Sequence, residues 1–250
     1  MHATLENVVN GQEHERAYGP RSGHGFSIYE ALLSSWLSTP GQPGKESIKP
    51  CNQTISARRT IYRSHDPSDA ITIICSGWAA CVATLPDGRR QILSFLLPGD
   101  LVTTTALFEQ CLPYSVQALT DVHYCTFDCA TLRPALFADM KLFQQFLKIG
   151  VEEKKRADEL AVDLGRRSAD ERISRLILSL MRRLRSLSLV HDETFDFPLR
   201  QQHIADATGL TPVHVSRVIS EFRREGLIRM TDRCLTVLKP IELGQIGGMT

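Results

Sequence analysis

The sequence has no long apolar run, no CxxC pair of cysteines and almost no net charge, which is +1 at neutral pH. No window approaches the roughly 20 apolar residues that a membrane-spanning helix needs. Residues 1–25 show neither a signal-peptide nor a transit-peptide pattern. We therefore expect a cytoplasmic protein with no membrane partner.

Signs of disulfide, metal or catalytic chemistry are also missing. Seven cysteines are an odd number, and their spacing suits neither a disulfide framework nor a metal site. Cys111 lies in a loop-like stretch and is the one thiol that we consider as a redox sensor, with an inert thiol as the alternative. There is no nucleophile–base arrangement and no phosphate-cradling glycine loop, so we do not expect an enzyme.

The length and the distribution of charge favour two domains with different partners. The 250 residues, 42% of them hydrophobic, are enough to bury two cores. Residues 165–240 carry 14 basic against 9 acidic residues, whereas residues 1–164 carry 15 against 18. A basic carboxy-terminal part suits a polyanionic partner, of which double-stranded DNA is one example.

Two short helical patterns flank a turn between residues 200 and 224, which read RQQHIADATGLTPVHVSRVISEFRR. Gly209 suits the left-handed end of the first helix because it has no Cβ. Thr211 can cap the second helix, and Pro212 fits its first position. Ala205 is small enough for a close helix crossing. This pattern is typical of a DNA-binding helix-turn-helix.

The apolar and polar residues of this segment separate into two faces. The apolar stripe consists of Ile204, Val215, Val218, Ile219 and Phe222, and Thr208 is the one polar departure from it. We predict base contacts for Val213, His214, Ser216 and Arg217. We predict phosphate contacts for Gln201, Gln202, Thr211 and Arg223.

The residues that follow predict a winged variant of the motif. Residues 226–230 and 234–238 are strand-like runs, joined by a turn at Thr231-Asp232-Arg233. Arg233 at the tip of this hairpin would contact a phosphate, or it would be an ordinary solvated turn residue.

An all-β pattern precedes these elements, from about residue 58 to residue 127. Six short strand-like runs alternate with turns such as Pro98-Gly99-Asp100. Asp87-Gly88 predicts a hairpin with a primed two-residue turn. We also expect an amphipathic helix over residues 27–38 and a disordered tail over residues 1–27.

A long helical pattern over residues 138–164 joins the two parts. Phe143, Gly150, Ala157 and Leu164 recur every seven residues, beside Phe146, Leu147, Leu160 and Ala161. This spacing predicts a seam between two helices of a homodimer, with packing on the chain's own β-domain as the alternative. Gly165 is expected to end the helix, and a capping box from Ser168 to Glu171 to start the next. The link from Gly165 to Arg167 is then a candidate hinge.

This organisation resembles the Crp/Fnr family of bacterial transcription regulators. The most specific segments are LPDGRRQILSFLLPGD and LTPVHVSR, and the resemblance covers about residues 28–240. It implies an α+β fold with a cyclic-nucleotide-binding-like β-roll, a double-stranded β-helix, over residues 28–137. A dimerisation helix over residues 138–165, a winged helix-turn-helix over residues 166–240 and a tail over residues 241–250 would follow.

The ligand residues of the family do not carry over to this chain. Members that bind cyclic AMP have a Gly-Glu pair after the PGD turn and an Arg-Ser pair. Here these regions read Asp100-Leu101-Val102-Thr103-Thr104-Thr105 and Leu112-Pro113-Tyr114-Ser115. Because no arginine is present to pair a buried phosphate, we do not expect cyclic AMP.

Two other cofactors of the family are not expected either. Iron–sulfur members need cysteines near the amino terminus, whereas the first cysteine here is Cys51. His65 and His123 lie in or beside strands, but lone histidines are more often structural than haem ligands. The effector therefore stays unknown.

The main hypothesis is a transcription regulator that binds a pseudo-palindromic DNA site as a homodimer. Ser216 and Arg217 match a Ser/Gly-Arg pair of the family, and arginine can bind guanine O6 and N7. Val213 replaces a glutamate that many members place three residues before that pair, so the half-site should differ. The resemblance also allows RNA polymerase as a partner. The alternative is a ligand-sensing module whose winged helix contacts protein.

Overall fold

The computed structural model describes residues 50–109 and 111–249. The helix expected over residues 27–38 and the tail expected over residues 1–27 lie outside the described residues. In chain order the elements are β1 (Cys51–Ile55), β2 (Thr60–Tyr62), β3 (Ala70–Ser76), β4 (Ala79–Thr84), β5 (Arg90–Leu96), a single 3₁₀ turn (Thr105–Leu107), β6 (Ser115–Ala118), β7 (Val122–Asp128), α1 (Cys129–Ala138), α2 (Met140–Arg166), α3 (Ala169–Ser186), β8 (Thr194–Asp196), α4 (Gln201–Thr208), α5 (Pro212–Arg224), β9 (Ile228–Thr231), β10 (Cys234–Val237) and α6 (Pro240–Ile246).

The first seven strands form two antiparallel sheets, in the orders β1-β7-β3 and β2-β6-β4-β5. Apolar side chains of β3, β5 and β7 contribute to the core of this unit, and the largest include Ile71, Ile73, Ile92 and Phe127. All six strands predicted from the sequence are present. We missed β1 because it is an edge strand whose side chains are mostly exposed, so it carries no apolar alternation.

The β4–β5 hairpin forms, but its turn differs from the primed turn that we predicted. The Leu85 carbonyl accepts a hydrogen bond from Gly88 N at 2.9 Å, so Pro86 and Asp87 are the central residues. Only Gly88 in this turn has a positive φ, 86°. Proline holds φ near −65° and so excludes the left-handed conformation that a primed turn needs at its first central position.

Helix α2 continues past the glycine that was expected to end it. Gly165 lies within the helix, which ends after Arg166, and the backbone N–H of Arg167 bonds to the Asp163 carbonyl. Because Arg167 is extended, this helix end needs no left-handed glycine. The capping box is confirmed: Ser168 Oγ accepts from Glu171 N at 3.3 Å, and Glu171 Oε2 accepts from Ser168 N at 2.6 Å.

Helix α2 has one apolar face on its own β-roll and a second that points outward. Leu142 and Phe146 are buried against the β-roll, so Phe146 does not belong to an intermolecular seam. Leu147, Val151 and Val162 are each about half exposed. One face of α2 therefore packs on the chain's own β-domain, and the homodimer seam stays a prediction for the outward face.

The carboxy-terminal unit contains α3 to α6 and a three-stranded sheet in the order β8-β10-β9. We did not predict β8, a three-residue strand that pairs with β10. The expectation that residues 241–250 form a tail was wrong, because Pro240–Ile246 is the helix α6. Leu243 is fully buried, and its carbonyl accepts a hydrogen bond from Ser174 Oγ of α3.

Within residues 50–109 and 111–249, no helix is both long enough and apolar enough to cross a membrane.

Candidate DNA-binding interface

The turn between α4 and α5 has the conformation that its residues predict. Gly209 adopts the left-handed conformation, with φ 66° and ψ 31°, and the Leu210 N–H bonds to the Ala205 carbonyl at 3.1 Å. Thr211 Oγ1 accepts from His214 N at 3.3 Å, and Pro212 is the first residue of α5. These local interactions fix the angle at which α5 leaves the turn.

The inner face of α5 holds the helix against the rest of the unit. Val215, Val218 and Phe222 are buried, and Ala205 of α4 is only 2% exposed. Thr208 is the polar residue that departs from the apolar pattern of the motif. Its hydroxyl donates to the Ile204 carbonyl at 2.7 Å, which satisfies the one polar group that the substitution buries.

The outer face of α5 carries the residues that we predicted to contact bases. Val213 is 80% exposed, which is unusual for a large apolar side chain. Arg217 is exposed, and its Nη2 lies 3.0 Å from Nε2 of His214. Ser216 is half-buried at the edge of this face. Together these side chains offer donors, an acceptor and an apolar group to a groove.

The residues that we predicted to contact phosphates are exposed at the ends of α4 and α5. They are Gln201, Gln202, Thr211 and Arg223. Gln202 donates through Nε2 to Asp206 Oδ1 at 2.5 Å, so its amide is already oriented. At the start of α4, His203 Nδ1 accepts from the Arg200 N–H at 3.2 Å. Burial, followed by the charge of Arg200, lowers the pKa of His203, which favours this neutral acceptor.

The wing is a hairpin of β9 and β10 with a two-residue turn. Thr231 pairs with Cys234, and Asp232 takes a positive φ of 46°. Arg233 is exposed and borders a cleft of about 500 Å³ that Trp78 of the β-roll also lines. Its charge opposes the rise in the pKa of Asp196 that burial causes. The wing arginine therefore borders the space between the two units.

Side-chain contacts dock the carboxy-terminal unit on the β-roll, and they include an ion pair of Arg90 with Asp206 at 3.7 Å. Arg183 of α3 donates to Asp100 and, at 3.0 Å, to the Phe95 carbonyl. Gln91 of β5 donates to the Ala207 carbonyl at 3.2 Å. Burial lowers the pKa of Arg183, and the charge of Asp100 acts in the opposite direction. We did not predict these contacts, because they join residues that are more than 80 positions apart.

The carboxylate of Glu153, on α2, is hydrogen-bonded to the β-roll segment that follows the PGD turn. Glu153 accepts from Thr104 N at 3.2 Å and from Thr104 Oγ1 at 2.6 Å. A Cβ added at Gly150 would lie 3.4 Å from Thr104 Oγ1, so the helix approaches closely. Burial raises the pKa of Glu153 and Tyr114, and it raises the pKa of Cys81 to about 12.

The other candidate sensor residues do not come together. His123 is exposed, and its Nδ1 lies 3.0 Å from Thr54 Oγ1. His65 is exposed on a loop with a φ of 66°. Cys111 is half-buried and forms an isolated bridge with Pro67. In the part of the chain that the structure describes, no group of three His, Cys, Asp or Glu residues is arranged to hold a metal ion.

Comparisons with known proteins assign both units. Residues 171–246 match the Crp-like helix-turn-helix domain, and residues 52–139 match the cyclic nucleotide-binding domain. The transcriptional activator protein FnrL of Cereibacter sphaeroides is 33% identical over 181 residues, which cover 71% of this chain and 72% of that protein. The nitrogen fixation regulation protein FixK of Bradyrhizobium diazoefficiens is 31% identical over 74% of this chain and 77% of that protein.

The fold is similar to that of solved structures as well. The structure of FixK2 from Bradyrhizobium japonicum superposes with a TM-score of 0.73 at 23% identity, over 80% of this chain and 98% of that one.

Proposed function

The chain belongs to the Crp/Fnr family of transcription regulators, and we propose that it binds a pseudo-palindromic DNA site as a homodimer and so regulates transcription. The observation that carries the proposal is the outer face of α5. There, a capped and well-packed helix exposes Val213 and an Arg217–His214 pair. An exposed large apolar residue beside a hydrogen-bonding arginine suits the major groove, where thymine methyl groups and guanine acceptors lie.

The proposed contacts divide into base readout and positioning. Val213, His214, Ser216 and Arg217 read base edges, while Gln201, Gln202, Thr211 and Arg223 hold phosphates. With valine at position 213, no carboxylate at this position can accept from a cytosine amino group. We therefore propose a half-site that contains a guanine opposite Arg217 and a thymine near Val213.

The proposed homodimer rests on the outward face of α2. Leu147, Val151 and Val162 are half exposed along a helix of 27 residues. We propose that these side chains are buried against a second copy and that the dimer presents its two recognition helices to successive major grooves, which lie about 34 Å apart. The proposal also includes a cytoplasmic location, where the DNA lies, and RNA polymerase as a further partner. It includes no catalytic activity.

Arg217→Ala tests the role of α5. We expect a loss of about 1 to 3 kcal/mol in binding to the preferred site, with relaxed specificity at one base pair. Fluorescence anisotropy with labelled duplexes at several salt concentrations measures both effects. The native protein should lose affinity steeply as salt rises, because phosphate contacts release counterions.

Arg185→Ala is the matched control for this variant. Arg185 is an exposed arginine of α3 that pairs with Glu193, away from α5, and its loss should leave DNA binding unchanged. Equal weakening of Arg217→Ala on preferred and random duplexes would contradict the base-reading role. No salt-dependent duplex binding at all would favour a protein-interaction module instead.

A further inference from the structure

A crevice of about 360 Å³ opens between the β-roll and the DNA-binding unit. Its walls are strand β5 of the β-roll, the carboxy-terminal half of α2, and α3, the first helix of the DNA-binding unit. The volume falls within the range that small-molecule pockets occupy. A molecule bound in this crevice would contact the sensor and the reader at once.

The walls of the crevice are strongly basic. Five arginines line it, against two carboxylates, which leaves an excess of three positive charges. The arginines are Arg156, Arg172, Arg175, Arg182 and Arg183, and the carboxylates are Glu159 and Asp163. Basic groups concentrated in a cleft with low-dielectric walls attract anions more strongly than the same groups on an open surface.

Three of the five arginines are held by acceptors of the chain itself. Arg172 donates to two backbone carbonyls at 2.9 and 3.0 Å. Arg175 donates to Asp163 at 2.8 Å, and Arg183 donates to Asp100. These three arginines are fixed by acceptors of the chain, and two of them, Arg175 and Arg183, are paired with carboxylates.

Arg156 and Arg182 differ from the other three. Within residues 50–109 and 111–249, neither has a hydrogen-bond or ion-pair acceptor. Arg156 is half-buried. Burial lowers the pKa of Arg183, and the positive charge of Arg156 lowers that pKa further. The charge of Arg156 acts to lower the pKa of Glu153, whose oxygens already accept from Thr104. Arg156 is thus a half-buried guanidinium beside the paired Arg183, whereas Arg182 is exposed, and both positive charges attract an anion that enters the crevice.

The other residues that line the crevice favour a ligand with an apolar part over an inorganic ion. Leu160, Leu164, Leu176 and Ile92 form an apolar wall of the crevice. Guanidinium groups bind the oxygens of phosphate in a planar, bidentate manner. We propose that the crevice is an effector site for a small organic phosphate, whose phosphate group pairs with Arg156 and Arg182 and whose organic part packs on the leucines. The regulatory role of this site rests on the proposed function, whereas the binding of an organic phosphate does not.

Isothermal titration of the full chain with inorganic pyrophosphate, and then with adenosine diphosphate as an organic probe, tests the site. We expect saturable binding of both, tighter for the diphosphate. The double variant Arg156→Gln/Arg182→Gln should weaken both by about tenfold or more, because each charge-assisted contact is lost. Glutamine keeps most of the side-chain length, and thermal unfolding checks that the variant is folded.

Two further variants separate the crevice from other basic surfaces. Arg185→Gln removes a charge of α3 outside the crevice, and Arg217→Ala removes the proposed base contact, so both should bind the probes as the native protein does. No saturable binding of either probe, or binding that the double variant leaves intact, would overturn the site.

A random duplex distinguishes a small phosphate from the phosphates of DNA. If the double variant lost duplex and pyrophosphate affinity to the same extent, the crevice would be part of the DNA surface and the effector assignment would be overturned. If the native protein bound pyrophosphate but showed no salt-dependent DNA binding, only the proposed function would be contradicted.

Discussion

Val213 and Glu153 are single side chains whose surroundings are unusual for their chemistry. An apolar residue 80% exposed in the middle of a binding face gains most by contact with an apolar group of the partner. Glu153 has the opposite setting, since it is a carboxylate drawn into the β-roll and held by Thr104. The sequence indicated that the familiar ligand residues are missing there. It did not indicate that a carboxylate of α2 is hydrogen-bonded to the same segment.

Glu153→Gln should change the pH dependence of stability. Because burial raises the pKa of Glu153, the folded state binds this proton more tightly than the unfolded state. The contribution of the group is therefore present below its unfolded pKa and is lost as the pH rises through its folded pKa. Glutamine does not ionise, so the variant should gain stability relative to the native protein as the pH rises through that window.

Urea unfolding between about pH 4 and about pH 8 measures this difference. Glu159→Gln, an exposed position on the same helix, serves as the control and should show no such trend. A difference for Glu153→Gln that stayed constant with pH, or fell as the pH rose, would contradict the account.

At the scale of elements, the sequence predicted what depends on local interactions. The Ser168 capping box, the Gly209 turn and the Thr211 cap are each formed by residues within five positions of one another, so their signals survive in the sequence. The prediction for Gly165 was wrong because a helix can end on an extended residue. We missed the exposed strand β1 because its hydrogen bonds to β7 define it as a strand, whereas its own residues show no apolar alternation.

Gly209→Ala should destabilise the protein more than Gly226→Ala. Both glycines have a φ near 66°, so an alanine costs about 1 to 2 kcal/mol at either position. At Gly226 the new Cβ meets nothing within 4 Å, whereas at Gly209 it would lie 3.0 Å from Leu164 Cδ2 of α2. Chemical denaturation compares the two variants. Equal losses of stability would show that α2 does not restrict the turn.

At the scale of the whole molecule, the sensor and the reader are joined by contacts that no local pattern encodes. Arg183 and Asp100 are separated by 83 positions, and Gln91 reaches the Ala207 carbonyl across 116. Each of these residues would also suit a solvated surface, so the sequence alone could not pair them. The coarse order of β-roll, long helix and winged helix was predictable, because hydrophobic periodicity and turn residues specify it.

The same docking contacts connect the crevice with the DNA-binding face. Arg183 and Gln91 hold α3 and the end of α4 on the β-roll, and α5 follows directly after the Gly209 turn. A ligand that stabilises one arrangement of the two units must change DNA affinity to the extent that DNA prefers one arrangement. The position of the recognition helix is therefore a property of the whole chain.

Selection of bound sequences from a pool of random duplexes tests the central claim most directly. We expect the native chain to enrich an inverted repeat whose half-site centres lie about 10 base pairs, or a small multiple of that distance, apart. We also expect Arg217→Ala to lose the preference for guanine at one position of each half-site. Enrichment of no sequence, or of an unrepeated site that Arg217→Ala selects equally well, would contradict it.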